Sequence, residues 1–256
     1  MQKQVQNNKV VGIIPARLAS TRFPGKPLVE INGKSMIQRV YEQCCKTDLD
    51  TTIVATDDQR IKDHIESFGG NAMMTKSTHQ TGTDRCAEIA ANLHEAEVIL
   101  NVQGDEPFIN PNDINKVIRL LIDQKYQIAT LSKKIIQDEE VTNPNIVKVV
   151  FSKSGQALYF SRSTIPYVRN NLKMGDDQKQ KLAPTYYRHI GLYGFQKNTL
   201  LEIAKLPQSN LETAESLEQL RWLENGYRIG IDVTDSESIS VDTPEDLQRI
   251  IQNLKS

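Results

Sequence analysis

The chain has 256 residues, with 31 basic and 32 acidic side chains and a formal charge of −1 at pH 7. Nothing in that balance argues for a nucleic acid or an anionic membrane surface, and neither is expected as a partner. No apolar run approaches the roughly 18 residues of a membrane span, and Met1 to Lys9 is polar, unlike a secretory signal. Cys44, Cys45 and Cys86 form no C-x-x-C and the four histidines show no metal-ligand spacing. Reduced thiols in a cytoplasmic protein, and no zinc site, are therefore expected.

The first predicted element is a strand at Val10–Ile14, apolar and β-branched, ended by Pro15. A loop follows with three cations, Arg17, Arg22 and Lys26, and the hydroxyls of Ser20 and Thr21. Fixed cations this close repel one another unless an anion sits among them. Gly25 permits a close backbone approach, and Pro24 and Pro27 stiffen it. A strand running into such a loop suggests a polyphosphate site at the carboxyl edge of a sheet.

Asn32-Gly33 signals a tight turn, and Ser35 suits the cap of a helix reaching about Cys45. A strand at Thr51–Thr56, a helix at Asp58–Phe68 closed by Gly69-Gly70, and a short strand at Asn71–Met74 come next. A helix at Thr83–Leu93, a strand at Glu97–Val102, a helix at Asn112–Gln124 and an extended stretch at Ile128–Leu131 complete the alternation. This order predicts an α/β fold with a doubly wound, mostly parallel central sheet.

The pattern then changes. Ile146–Phe151 and Gln156–Phe160 read as a hairpin, 166–185 as a long polar loop, and Tyr186–Phe195 as a strand. A helix at 211–224, strands near 228–233 and 238–241, and a last helix opened by Asp242 with Pro244 in its first turn follow. One domain spanning 1–256, with an inserted β-rich element at about 152–195, is the simplest organisation.

Asp105 follows the apolar strand at a sheet edge where α/β proteins place ligands, so it is a candidate magnesium ligand or the start of a turn. Asp242 or Thr243 reads first as the cap of the last helix, with Glu245 and Asp246 complementing its dipole. His79 to Arg85 is a polar stretch at a helix start, suited to a base or ribose, or capped at Thr81 or Thr83. Arg162 could grip a carboxylate in a two-point pair, and His189 and Tyr193 share one side of a strand. Glu218 and Gln219 flank the apolar face of their helix. Gly33-Lys34-Ser35 ends like a P-loop, but Leu28 stands where its first glycine should be, and no G-x-G-x-x-G or Gly-x-Ser-x-Gly occurs.

Pro15-Ala16-Arg17, Ser20, Arg22 and Pro24-Gly25-Lys26-Pro27-Leu28 resemble the signature of sugar-activating nucleotidyltransferases, in the form carried by 3-deoxy-manno-octulosonate (Kdo) cytidylyltransferases. Gln103-Gly104-Asp105-Glu106-Pro107, Thr81-Gly82-Thr83, Leu217-Glu218-Gln219-Leu220-Arg221 and Val241-Asp242-Thr243-Pro244-Glu245-Asp246-Leu247 continue the resemblance in family order. It implies a Rossmann-like nucleotidyltransferase that joins CMP from CTP to Kdo for lipopolysaccharide assembly. Catalytic roles fall to Arg17, Lys26 and Asp105. Nucleotide contacts fall to Pro15, Ala16, Arg17, Ser20, Arg22, Lys26, Gln80, Gly82, Thr83, Arg85 and Gln103, and sugar contacts to Gln103, Arg162, His189, Tyr193, Glu218 and Gln219. Magnesium is implied on Asp105 and Asp242, and a homodimer through the inserted element. CMP-sialic acid or CMP-8-amino-Kdo synthesis, or a nucleotide-binding regulator without catalysis, are the alternatives.

Overall fold

The computed structural model describes residues 9–19, 23–123, 125–169, 185–237 and 240–253. Its centre is β1 (Lys9–Ala16), flanked in parallel by β4 (Thr51–Thr56) and β6 (Ala96–Asn101), with β5 (Ala72–Met74) parallel outside β4. Beyond β6 come β10 (Tyr187–Gln196), β7 (Ile128–Lys134) and β11 (Ile229–Val233). β10 is antiparallel to both of its neighbours and β11 is parallel to β7, so the sheet is mixed but mostly parallel.

β1 shows why the sheet is wound on both sides. Val11 and Ile13 face one apolar layer, built with Cys86, Ile89 and Ala90 of α3 (Gly82–Ala91) and Leu200 and Ile203 of α6 (Lys197–Ile203). Val10 and Ile14 face the other, built from α1 (Met36–Cys44), α2 (Gln59–Ser67) and α4 (Pro111–Ile122). A strand covered on both faces needs apolar residues at every position, which is the run the sequence carries. The strand does not stop at Pro15. It continues to Ala16, because Ile13 already turns its carbonyl to Val102 at the end of the β6 ladder, and the N–H that Pro15 lacks falls beyond it.

Local signals set several ends. Asn32 and Gly33 both take positive φ between the short strands β2 (Glu30–Ile31) and β3 (Lys34–Ser35). Ser35 caps α1 and Asp58 caps α2 through their side chains. β8 (Lys148–Phe151) and β9 (Ala157–Ser161) form the expected hairpin, and β8 also pairs with β10 at Arg188. Residues 157–161 and 187–196 are thus hydrogen-bonded into the main sheet, and Tyr193 to Gln196 run between β6 and β7.

The helix expected at 211–224 is two helices, α7 (Asn210–Glu215) and α8 (Glu218–Glu224). Ser216 adopts a left-handed conformation with φ 51°, which ends α7, and Leu217 is extended. α5 (Asp138–Thr142) and α6 carry no strong periodic signal in so few residues and were not expected. Most of the long polar loop, residues 170–184, and positions 238 and 239 of the expected strand lie outside the described residues. The last helix, α9 (Pro244–Asn253), is capped by Thr243, whose Oγ1 accepts from the Asp246 N–H while Asp246 accepts from the Thr243 N–H.

Candidate active site

Four segments meet beyond the carboxyl ends of β1 and β6. The loop after β1 carries Arg17 and a 3₁₀ turn, Lys26–Leu28. The loop after β6 presses against β1: a Cβ on Gly104 would lie 3.0 Å from the Pro15 carbonyl oxygen, so a side chain there would drive the two apart. The N-terminal turn of α3 presses on the same proline, with a Cβ on Gly82 only 3.1 Å from its ring. Thr81 and Asp84 close that turn with a capping box.

The fourth segment is the strap from β11 to α9. It is anchored where it leaves the sheet, by Thr234 Oγ1 donating to Asp113 at 2.6 Å and Lys116 Nζ donating to the Val233 carbonyl at 2.6 Å. Farther on, the Val241 N–H donates to the Asp105 carbonyl at 2.9 Å, and the Val241 side chain is buried with Ile31, Met36 and Ile250. Asp242 is thereby brought beside Asp105.

Lys26 links the two aspartates. Its ammonium donates to Asp105 Oδ2 at 2.8 Å and to the Val241 carbonyl at 2.9 Å, and lies 3.6 Å from Asp242 Oδ1. The cleft around this cluster is lined by ten of the residues expected from the sequence: Pro15, Ala16, Arg17, Lys26, Gln80, Gly82, Arg85, Gln103, Asp105 and Asp242. Arg17 is exposed at its mouth. Arg85 is buried, donating to Thr75 Oγ1 and reaching Asp57 Oδ2 at 3.3 Å. Gln80 is exposed, its amide donating to the Thr78 carbonyl at 3.1 Å. Ser20 and Arg22 lie outside the described residues. His79 and Gly104 also line the cleft and were not singled out as contacts; the close approach of Gly104 to Pro15 was invisible without the neighbouring strand.

Of the residues expected to meet the sugar, Gln103 lines this cleft, and Arg162, His189, Tyr193, Glu218 and Gln219 lie outside its lining. Tyr193 sits opposite Asn101 at the end of β6, and the Tyr193 hydroxyl and Asn101 Oδ1 are buried without a hydrogen-bond partner among the described residues. Such orphaned atoms are uncommon and mark a place where a polar ligand or water belongs. Burial raises the Tyr193 hydroxyl well above its ordinary range, so it stays protonated. The His189 ring packs between Phe160 and Tyr193 with Nε2 3.0 Å from Thr130 Oγ1, and burial pushes its pKa down to about 3.

Glu218 opens α8. Its carboxylate accepts from Thr83 Oγ1 at 2.7 Å and from Arg221 at 2.7 Å, and Gln219 beside it is buried. Thr83, expected at the nucleotide, does not line the cleft, and its hydroxyl donates to Glu218 instead. The Arg162 guanidinium is tied to main-chain oxygens, Nε to Glu215 at 2.7 Å, Nη1 to Pro144 at 3.1 Å and Nη2 to Ser216 at 3.4 Å. These bonds use three of its five N–H donors and leave one on each terminal nitrogen.

A doubly wound sheet with a cationic loop, a glycine-padded cleft and two clustered carboxylates at the strand ends defines an α/β nucleotidyltransferase. Residues 11–231 match the family described as Cytidylyltransferase. The chain belongs to the 3-deoxy-manno-octulosonate cytidylyltransferase family: it is 52% identical over 249 residues to such an enzyme from Parabacteroides distasonis, covering 95% of this chain and 97% of that one. A second, from Bacteroides thetaiotaomicron, is 50% identical over 252 residues, covering 97% and 99%. A solved CMP:2-keto-3-deoxy-manno-octonic acid synthetase complexed with CTP superposes with a TM-score of 0.89 at 39% identity, covering 97% of this chain and 99% of that chain.

Proposed function

We propose that this enzyme transfers CMP from CTP to the anomeric 2-hydroxyl of Kdo, releasing pyrophosphate, to supply lipopolysaccharide assembly in the cytoplasm. The observation that carries the proposal is the cleft in which Lys26 and Arg17 stand at the strand ends beside Asp105 and Asp242. In the reaction the sugar hydroxyl oxygen bonds to the α-phosphorus in line, the bond from that phosphorus to the α–β bridging oxygen breaks as pyrophosphate leaves, and the hydroxyl proton passes to water. No covalent enzyme intermediate is required. Positioning and charge stabilisation supply most of the rate.

Arg17 and Lys26, with Arg22 and Ser20 from the same loop, hold the triphosphate. Pro15 and Ala16 form the wall beneath it. Gln80, Gly82, Arg85 and the backbone of Thr83 take the base and ribose, and Gln103 lies between nucleotide and sugar. Arg162 offers its two remaining N–H donors to the sugar carboxylate. His189, neutral, and Tyr193, protonated, offer hydrogen bonds that do not depend on pH near neutrality. Glu218 and Gln219 take sugar hydroxyls.

Magnesium fits the donor set. Among the described residues no group of three or more His, Cys, Asp and Glu side chains gathers, so a fully protein-built cage is not what this cleft offers. Two carboxylates held at one cation suit a small hard ion completed by phosphate oxygens and water. Asp105 and Asp242 would hold it, and when bound it would draw charge from the α-phosphate and ease loss of the hydroxyl proton.

The proposal includes a single domain, with the stretch at about 152–195 serving sugar binding and a homodimer. Leu158, 60% exposed on β9, and Tyr167, 83% exposed, support a surface that a second copy covers there. No helix among the described residues is long and apolar enough to cross a membrane.

The test is pyrophosphate release with each of four nucleoside triphosphates against Kdo, 8-amino-Kdo and sialic acid, with magnesium or with EDTA. CTP with Kdo and magnesium should exceed every other pair. Equal or faster turnover with sialic acid overturns the substrate, and no turnover with any pair overturns the enzyme.

A further inference from the structure

We infer that Thr83 is a positioning residue: its hydroxyl holds the Glu218 carboxylate in place for the sugar and ties the first turn of α3 to helix α8. The inference rests on the sugar role proposed above for Glu218.

The capping chemistry of α3 makes the point. Thr81 Oγ1 accepts the Asp84 N–H at 3.1 Å, and Asp84 accepts the Thr81 N–H at 3.2 Å, so the cap is complete without Thr83. Thr83 is 3% exposed and does not line the cleft, with its Oγ1 2.7 Å from Glu218 Oε2. On the other oxygen, Glu218 Oε1 accepts from Arg221 at 2.7 Å and faces Thr81 Oγ1 at 3.4 Å. Arg221 is itself braced by the Leu206 carbonyl at 3.0 Å and by Glu212 at 3.4 Å. Neither helix could hold this geometry alone. α8 supplies the carboxylate and the arginine, and the N-terminal turn of α3 with its cap supplies both hydroxyls.

Ionised, this carboxylate accepts on both oxygens; protonated, one oxygen becomes a donor and the other a weaker acceptor. Burial raises the Glu218 pKa, and Asp84 of α3 and Glu212 of α7 push it the same way; the Thr83 hydrogen bond and the Arg221 charge oppose them. Two further titratable groups face it, Cys86 of α3 and Tyr193 of β10, and burial keeps both protonated. Removing the Thr83 hydroxyl therefore removes one of two groups that favour the ionised form.

The experiment compares Thr83→Val, which keeps the shape, with Thr83→Ser, which keeps the hydroxyl. In steady-state kinetics Thr83→Val should raise the KM for Kdo about tenfold while the Kd for CTP, measured without sugar, moves less than about twofold. The acid limb of kcat/KM for Kdo should move to higher pH in Thr83→Val and stay in place in Thr83→Ser. Carbon-13 NMR of labelled glutamate reads Glu218 without any substrate, assigned by loss of its signal in Glu218→Gln, and should show its titration moving up only in Thr83→Val. That arm stands even if the CTP and Kdo assignment fails. A Thr83→Val enzyme whose Glu218 titration does not move overturns the inference. So does one that loses CTP affinity with Kdo KM unchanged, or a Thr83→Ser enzyme no better than Thr83→Val.

Discussion

The N–H of Val241 donates to the carbonyl of Asp105 at 2.9 Å, a main-chain bond between the strap and the loop after β6. It sets the next residue, Asp242, beside Asp105, and both carboxylates come within 3.6 Å of the Lys26 ammonium. The bond involves no side chain, so substitutions at either aspartate leave it in place.

Asp105→Asn and Asp242→Asn should therefore each abolish most turnover while the thermal melt stays close to that of the parent. Each change removes a charge and keeps the shape. The double variant should be little slower than the slower single one, because the two act through one centre. Pyrophosphate release across a magnesium titration checks this; near-normal turnover of Asp242→Asn at low magnesium would reduce Asp242 to a structural role.

Lys26→Met should raise the KM for CTP by about ten- to a hundredfold, the loss of a hydrogen bond to a charged partner. It should also tighten manganese binding in the absence of nucleotide, since the ammonium now sits within hydrogen-bonding distance of Asp105 and a divalent cation placed there would be repelled by it. Manganese titration followed by electron paramagnetic resonance measures the second effect. Weaker manganese binding in the variant would contradict it.

Arg162→Ala should weaken use of the sugar acid far more than CTP binding, by roughly 2–5 kcal/mol in kcat/KM for Kdo, the cost of leaving a carboxylate without its partner. It should also lower the melting temperature, because the guanidinium stitches β9 to the end of α7 through the Glu215 and Ser216 carbonyls. Kinetics with each substrate varied in turn, together with a melt, separates the two. A collapse of CTP affinity at constant Kdo KM would move Arg162 to the nucleotide site.

His189 is held neutral, with a pKa of about 3 in the folded chain. The unfolded chain takes up a proton near pH 6.5, so between these values the unfolded state binds more protons and stability falls as pH falls. His189→Gln removes that uptake. Between pH 7.5 and 5 the parent should lose at most about 2 kcal/mol more than the variant, read by urea unfolding at the two pH values. Parallel losses would mean that the ring is protonated within the fold.

Much of this protein was legible before folding. Apolar runs, caps and turns act over a few residues, so β1, the Asn32-Gly33 turn and the caps at Ser35 and Asp58 follow from their own neighbourhoods. The cationic loop and the two Asp-bearing motifs were visible for the same reason: each is contiguous. What only the tertiary structure decided is long-range. An apolar run says that a strand is buried but not which neighbours it finds or in which direction, and so β10 could not be placed antiparallel between β6 and β7. Ser216 gave no sign of its left-handed turn, which splits the expected helix and aims Glu218 at Thr83. And the meeting of Asp105 and Asp242 on Lys26 depends on where the strap is anchored, a matter of distant contacts to Asp113 and Lys116 that no local pattern encodes.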